Sequence, residues 1–322
     1  MEKVIEAFSD RLLAQIDSKK SFVVAGLDPE YLKIPIVFRK KHARKFGNTL
    51  TAVGKSIVAF NKCIIDIVAP LVPCVKPQIA FYEMYGLEGL KAFVDTVAYA
   101  KKRGLIVIED AKRNDIGHTA RAYSNGHLGM VDLGSAPEQP IFDVDSITVN
   151  PYLGSDSISP FLKSIEKYGK GIFVLVKTSN PSSVDIQDLV LREGNIRLFE
   201  HVATLVHEWG KGSIGSRGYS SVGAVVGATF PQHATNLRKM MPQALFLVPG
   251  YGAQGASGKD VVNCFNKDGY GGLISASRSI NYVHGNDLNI SKDSFKNFVR
   301  TAVDNMNNDI NKSLMVKGLL PW

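Results

Sequence analysis

The stretch Leu105-Ile106-Val107-Ile108-Glu109-Asp110-Ala111-Lys112-Arg113-Asn114-Asp115 joins four consecutive apolar residues to a dense charged cluster. A run that is apolar at successive positions, rather than alternately, suits a β-strand buried on both faces. The charged cluster follows where that strand ends. Asp110 and Lys112 are two apart, which on an extended strand places them on the same side. Asp115 comes after a turn, near the start of the next expected helix. An ordinary salt bridge with an N-capping Asp is the plain alternative for this cluster.

Seven further apolar runs share the character of Leu105–Ile108. They are Phe22–Leu27, Cys74–Lys76, Ser146–Val149, Ile172–Val176, Gly223–Val226, Leu245–Val248 and Gly272–Ser275, each bounded by Gly, Pro, Asp or Asn. Helical spacing fills the gaps, with Val53, Ile57, Phe60, Ile64 and Val68 in one segment and Leu90, Phe93, Val94 and Val97 in the next. Later helices are expected over 118–128, 158–168, 196–209, 231–240, 259–266 and 291–306. Eight alternations of buried strand and helix predict an α/β fold, a single (β/α)8 TIM barrel spanning 1–322. An open doubly wound sheet is the structural alternative. Long loops are expected at 29–48, 129–143 and 178–195.

Composition narrows the class. With 45% hydrophobic and 21% charged residues in 322, the chain is not disordered, collagenous or a coiled coil. A chain of this length buries a core without disulfide or metal staples. Cys63, Cys74 and Cys264 are too few and too scattered for a disulfide framework or a Cys-x-x-Cys zinc site, which suits a reducing compartment. The first residues lack the basic-then-apolar pattern of a signal peptide, and no apolar run approaches the roughly 20 residues that span a bilayer. A soluble cytoplasmic protein with no membrane partner is expected.

Lys and Arg number 38 against 30 Asp and Glu, a net charge of +8. That excess favours an anionic partner, whether nucleic acid, a membrane surface or a phosphorylated small molecule. The basic residues between 29 and 48, among them Lys33, Arg39, Lys40, Lys41, Arg44 and Lys45, have few interleaved aromatics beyond Tyr31, Phe38 and Phe46. They read as a solvated loop, and no nucleic-acid partner is expected.

Barrels of this kind carry their reactive groups at the carboxyl ends of the strands. Those ends here are Asp28, Lys76, the Asp110–Asp115 cluster, Asn150, Lys177-Thr178-Ser179-Asn180, the loop from Pro249 to Gly255, and Ser277-Arg278. The last two suggest a phosphate site. Gly250, Gly252, Gly255 and Gly258 allow close backbone approach, and Arg278 offers a fork suited to a phosphate dianion. On the same architecture, Asp110 and Asp115 could instead recruit Mg²⁺ for a metal-assisted sugar-phosphate decarboxylase, or Lys76 or Lys112 could form a Schiff base in an aldolase. A non-catalytic nucleic-acid-binding protein is the reading from another class.

Taken together, Asp28, Lys76 in Lys-Pro-Gln-Ile-Ala-Phe-Tyr, Asp110-Ala111-Lys112-Arg113-Asn114-Asp115-Ile116-Gly117, Thr178-Ser179-Asn180-Pro181, Gln254 and Arg278 resemble the orotidine 5'-phosphate decarboxylase family, and the long loops resemble its larger-subunit branch. The resemblance runs in order from about residue 22 to 282. It implies a homodimer that converts the nucleotide orotidine 5'-phosphate to UMP and CO₂, the last step of de novo pyrimidine nucleotide synthesis, with no cofactor and no metal. It implies that Lys76, Asp110, Lys112 and Asp115 form an alternating charge array, with Asp115 and Thr119 shared across the dimer interface. Asp28 is then the ribose ligand, Thr178 and Ser179 bind substrate with Ser179 at the pyrimidine edge, and Gln254 and Arg278 hold the phosphate. Some relatives place a Tyr two residues after the glutamine; that position is Ala256 here, leaving Tyr251 and Tyr282 as candidates. Fusion to, or association with, an orotate phosphoribosyltransferase is a further partner expectation.

Overall fold

The computed structural model of this chain describes residues 5–228, 231–252 and 255–322. From the amino end, α1 (Phe8–Lys19) and β1 (Val23–Leu27) lead into α2 (Ile36–Phe46) and α3 (Leu50–Val68). Then come β2 (Cys74–Pro77), the single turn α4 (Ala80–Glu83), α5 (Gly86–Lys102), β3 (Ile106–Arg113) and α6 (Gly117–His127). A small hairpin of β4 (Val131–Leu133) and β5 (Ala136–Gln139) precedes β6 (Ser146–Val149), α7 (Ser155–Tyr168), β7 (Gly171–Lys177) and α8 (Leu198–Gly210). Next are β8 (Ser220–Val226), α9 (Pro231–Met240), β9 (Ala244–Val248) and α10 (Gly258–Val261). Last are β10 (Gly272–Ala276), α11 (Arg278–Asn281) and α12 (Lys292–Val316).

Every apolar run becomes a strand, and among the described residues eight of the strands close into a barrel in the order β1-β10-β9-β8-β7-β6-β3-β2. All neighbouring pairs are parallel. Pairing of Val23 with Ile274 joins the first strand to the last, so the sheet is a TIM barrel and not an open doubly wound one. Closure buries the strands from inside by one another's side chains and from outside by helices. That is why β1, β8, β9 and β10 are buried at every position.

Several segments differ from their sequence reading. Residues 29–48, expected as a loop, contain a 3₁₀ turn at Tyr31–Lys33 and the helix α2. Its exposed Lys40, Lys41, Arg44 and Lys45 mask a short apolar face. Buried Phe38 on that face meets Phe60 of α3 and Phe295 of α12 edge-on, with centroids 5.5 Å apart in each pair. Residues 129–143 hold the hairpin, and 178–195 hold a 3₁₀ turn at Pro181–Asp185. The helix expected over 259–266 is broken into α10 and a 3₁₀ turn at Val262–Cys264. At the amino-terminal face α1 sets Phe8 edge-on against Phe173, and Arg11 pairs with Asp145 at 2.8 Å. No helix among the described residues is long and apolar enough to cross a membrane.

One side chain ties the same face together. Arg238 of α9 lies over the Phe246 ring, 3.5 Å from its centroid, and donates to the carbonyls of Met241, Ala244, Cys264 and Gly271. Burial pulls its pKa down to about 10, still leaving it cationic at neutral pH. Arg238→Met removes the donors from those buried carbonyls, which costs about 3–5 kcal/mol. Urea unfolding should show the midpoint falling with the slope unchanged.

Candidate active site

Parallel pairing of β2 with β3 brings Lys76 beside Asp110, whose carboxylate lies at 2.8 Å from Lys76 Nζ through Oδ2. Oδ1 of the same carboxylate takes Lys112 Nζ at 2.5 Å and the Thr148 hydroxyl at 3.1 Å. Asp110 and Lys112 therefore meet, as two residues on one side of a strand should, though not by the expected route. The β3–β6 register slips between Glu109 and Arg113, and Lys112 is left-handed at φ 52°. Such a bulge re-aims a side chain. A left-handed non-glycine residue costs on the order of 1–3 kcal/mol and persists only where its surroundings impose it.

Burial alone would raise the Asp110 pKa, but Lys76 and then Lys112 overcome it and hold the carboxyl far below the ordinary carboxylate range. For Lys76 burial works downward, and Asp110 with Asp28 outweighs it, so the ammonium is held above its usual pKa. Both groups thus stay charged through neutrality. Asp28 is the opposite case: burial raises its pKa against the pull of Lys76, and its Oδ1 has no protein hydrogen-bond partner.

A cavity of about 420 Å³ opens above this pair, lined among others by Lys76, Asp110, Lys112, Thr148, Ser179 and Gln187. Ser179 fits because Gly227 lies opposite; a Cβ there would come within 2.9 Å of Ser179 Cα. Gln187 fixes the neighbouring Thr178, accepting from its N–H at 2.9 Å and donating to its hydroxyl at 2.8 Å. Thr148 and Gln187 are the residues that sequence reading missed. Thr148 sits inside an unremarkable apolar strand, and Gln187 inside a polar loop, so neither carried a signal.

The model matching residues 42–282 is that of the "Orotidine 5'-phosphate decarboxylase / HUMPS family". The chain belongs to this family. It is similar, at 43% identity over 87% of this chain and 90% of the relative, to the orotidine 5'-phosphate decarboxylase of Caldicellulosiruptor bescii. It is also similar to the solved structure of Leishmania donovani OMP decarboxylase, with TM-score 0.70, 30% identity and coverage of 96% of this chain and 99% of that one. The Leishmania donovani UMP synthase structure aligns with TM-score 0.72 and 31% identity over 96% of this chain. This chain spans 56% of that synthase.

Other sequence-marked positions of this family member fall around the cavity in different ways. Asp115 and Thr119 do not line it; Thr119 lines a separate cavity of about 350 Å³ with Ile79, Glu83, Arg113 and Tyr123. Asp115 does not cap α6 either, since its Oδ1 accepts from the Ile116 N–H at 2.8 Å and Ile116 holds the cap position. Arg278 is exposed and opens α11 directly beyond β10. Gln254 lies outside the described residues. Both tyrosines considered for the phosphate are engaged elsewhere. Tyr251 donates to Asp309 at 2.7 Å, while Tyr282 donates to the Asp28 carbonyl and accepts from the Glu30 N–H.

The raised pKa of Asp28 gives a pH test. A carboxyl whose folded pKa lies above its unfolded one stabilises the fold at low pH and loses that contribution as pH rises through the folded value. Asp28→Asn is therefore expected to melt at a higher temperature than the parent at pH 7 to 8. Differential scanning calorimetry should show the gap closing as pH falls into the ordinary carboxylate range.

Proposed function

We propose that this chain converts orotidine 5'-phosphate to UMP and CO₂ without a cofactor, as the last step of de novo pyrimidine nucleotide synthesis. One observation carries the chemistry: a largely buried carboxylate, Asp110, clamped between two ammonium groups at the floor of the cavity. In the reaction the bond from the ring carbon to the carboxylate breaks, its electron pair stays on that carbon, and CO₂ departs. Lys112 stabilises the resulting carbanion and then gives it a proton from Nζ, to be replaced from solvent. Its side chain retains 45% exposure, which leaves it free to reach the substrate and to be reprotonated. Asp110, set near the substrate carboxylate, disfavours the charged ground state relative to a transition state that is losing that charge. Lys76 keeps Asp110 ionised.

The binding groups follow the same assignment. Asp28 takes the ribose hydroxyls, with its unpartnered Oδ1 available to accept. Thr178 and Ser179 bind substrate, with Ser179 at the pyrimidine edge, and Gln254 with Arg278 takes the phosphate. Binding energy gained at the remote phosphate organises the charged floor. Asp115 and Thr119, which lie away from this chain's own cavity, are assigned to the partner's site in a homodimer. Because both Asp110 oxygens are already taken by ammonium groups, the donor set suits a metal-assisted route poorly. A Schiff base needs a neutral amine, and Lys76 is held protonated. The cytoplasm is the assigned compartment, in keeping with three buried free thiols, and association with an orotate phosphoribosyltransferase is part of the reading.

The ultraviolet change on adding orotidine 5'-phosphate should proceed at an undiminished rate in EDTA; a rate abolished by chelation overturns the cofactor-free mechanism. Lys112→Ala should lower kcat by roughly 10⁴-fold or more, the loss of a general acid and an electrostatic partner together. UMP affinity, measured by calorimetry, should change little. Mixing inactive Lys112→Ala and Asp115→Asn chains should restore about a quarter of the parental activity if Asp115 serves the partner, since random C₂ pairing leaves one intact site in each mixed dimer.

A further inference from the structure

Thr148 of β6 is fully buried, and its hydroxyl uses all of its hydrogen-bonding capacity on β3. Oγ1 accepts from the N–H of Ala111 and from the N–H of Lys112, each at 2.9 Å, and donates to Asp110 Oδ1 at 3.1 Å. A hydroxyl has one donor and two acceptor lone pairs, so nothing is left over. The two N–H groups lie within the slipped stretch of the β3–β6 ladder, between Glu109 and Arg113.

We infer that Thr148 is a positioning residue for catalysis, holding both halves of the Asp110–Lys112 pair through one oxygen atom. This rests on the decarboxylase reading of the same cavity. One end of the pair is the backbone that carries Lys112, kept left-handed at φ 52°. The other is the carboxylate that receives Lys112 Nζ. Without the hydroxyl, the Lys112 backbone is released toward an ordinary conformation, which displaces Nζ while the charges themselves remain. Branching at Cβ restricts the rotamer, so the oxygen is delivered with little freedom. The binding groups assigned to ribose, pyrimidine and phosphate come from other strands and loops, so the loss should fall on turnover and spare affinity.

Three variants separate this role from simple packing: Thr148→Val, which keeps the shape and removes the hydroxyl, Thr148→Ala, and Thr148→Ser, which keeps the hydroxyl. Val and Ala are expected to lower kcat by ~10²-fold, the scale of a reacting group misplaced by an ångström. KM for orotidine 5'-phosphate and the inhibition constant of UMP should stay within about threefold, and Ser should keep kcat within about threefold of the parent. The inference is overturned if Val or Ala turns over within threefold of the parent, if Ser loses as much as Val, or if KM rises in step with the loss. Should Val fail to fold, as judged by its melting transition, Ala and Ser still decide the matter. A parent chain inactive on orotidine 5'-phosphate defeats the decarboxylase reading itself, whereas an active parent with indifferent Thr148 variants defeats only this inference.

Discussion

A carboxylate taken out of water must be paired, and the arrangement of Asp110 answers that requirement. Stripped of both ammonium groups, such a carboxylate would be an uncompensated charge in a largely buried site, at a cost of several kcal/mol. Lys76 has to come from the neighbouring strand at the right height, which parallel pairing of β2 and β3 provides. Lys112 has to turn back toward its own strand, which the bulge and its left-handed backbone provide. The barrel supplies the rigid frame on which both conditions are met at once. What remains imperfect is Asp28, whose buried Oδ1 is unpartnered, and local imperfections of this kind gather where a protein binds rather than where it merely folds.

The loops around the cavity are held by a few side chains that are not themselves at its floor. Gln187 holds Thr178 by two bonds, and Tyr282 joins the Asp28 carbonyl to the Glu30 N–H. Oδ2 of Asp309 accepts from both Tyr251 and the Gly258 N–H at 2.7 Å, so α12 grips both flanks of the segment after β9. These anchors fix Thr178, Glu30, Tyr251 and Gly258 from side chains that lie off the cavity floor.

Much of this was legible in the residues. Strands buried on two faces announce themselves as continuous apolar runs, and all eight barrel strands were found that way. The floor of the cavity was legible as well, because Lys76, Asp110 and Lys112 interrupt sequence that otherwise reads as core. Helices α1 and α2 were less visible. Phe38 gives α2 a single fully buried contact amid basic residues, and such a helix is specified by its neighbours Phe60 and Phe295, not by its own pattern. Thr148 was illegible for a related reason. Its role depends on a slip in the register of the strand beside it, and register is a property of two segments that neither shows alone.

Closure of the barrel carries a consequence for how the chain comes to exist at all. The Val23–Ile274 pairing joins positions on the order of 250 residues apart, so the ring cannot seal until the chain has been made past Ile274. Until then β1 and the latest strand present open edges with apolar faces, the kind of surface that recruits another chain. A ribosome-bound chain is therefore an unsealed sheet until β10 emerges. Its yield in a cell depends on shielding that sheet from its neighbours, even though the finished barrel has no edge to offer.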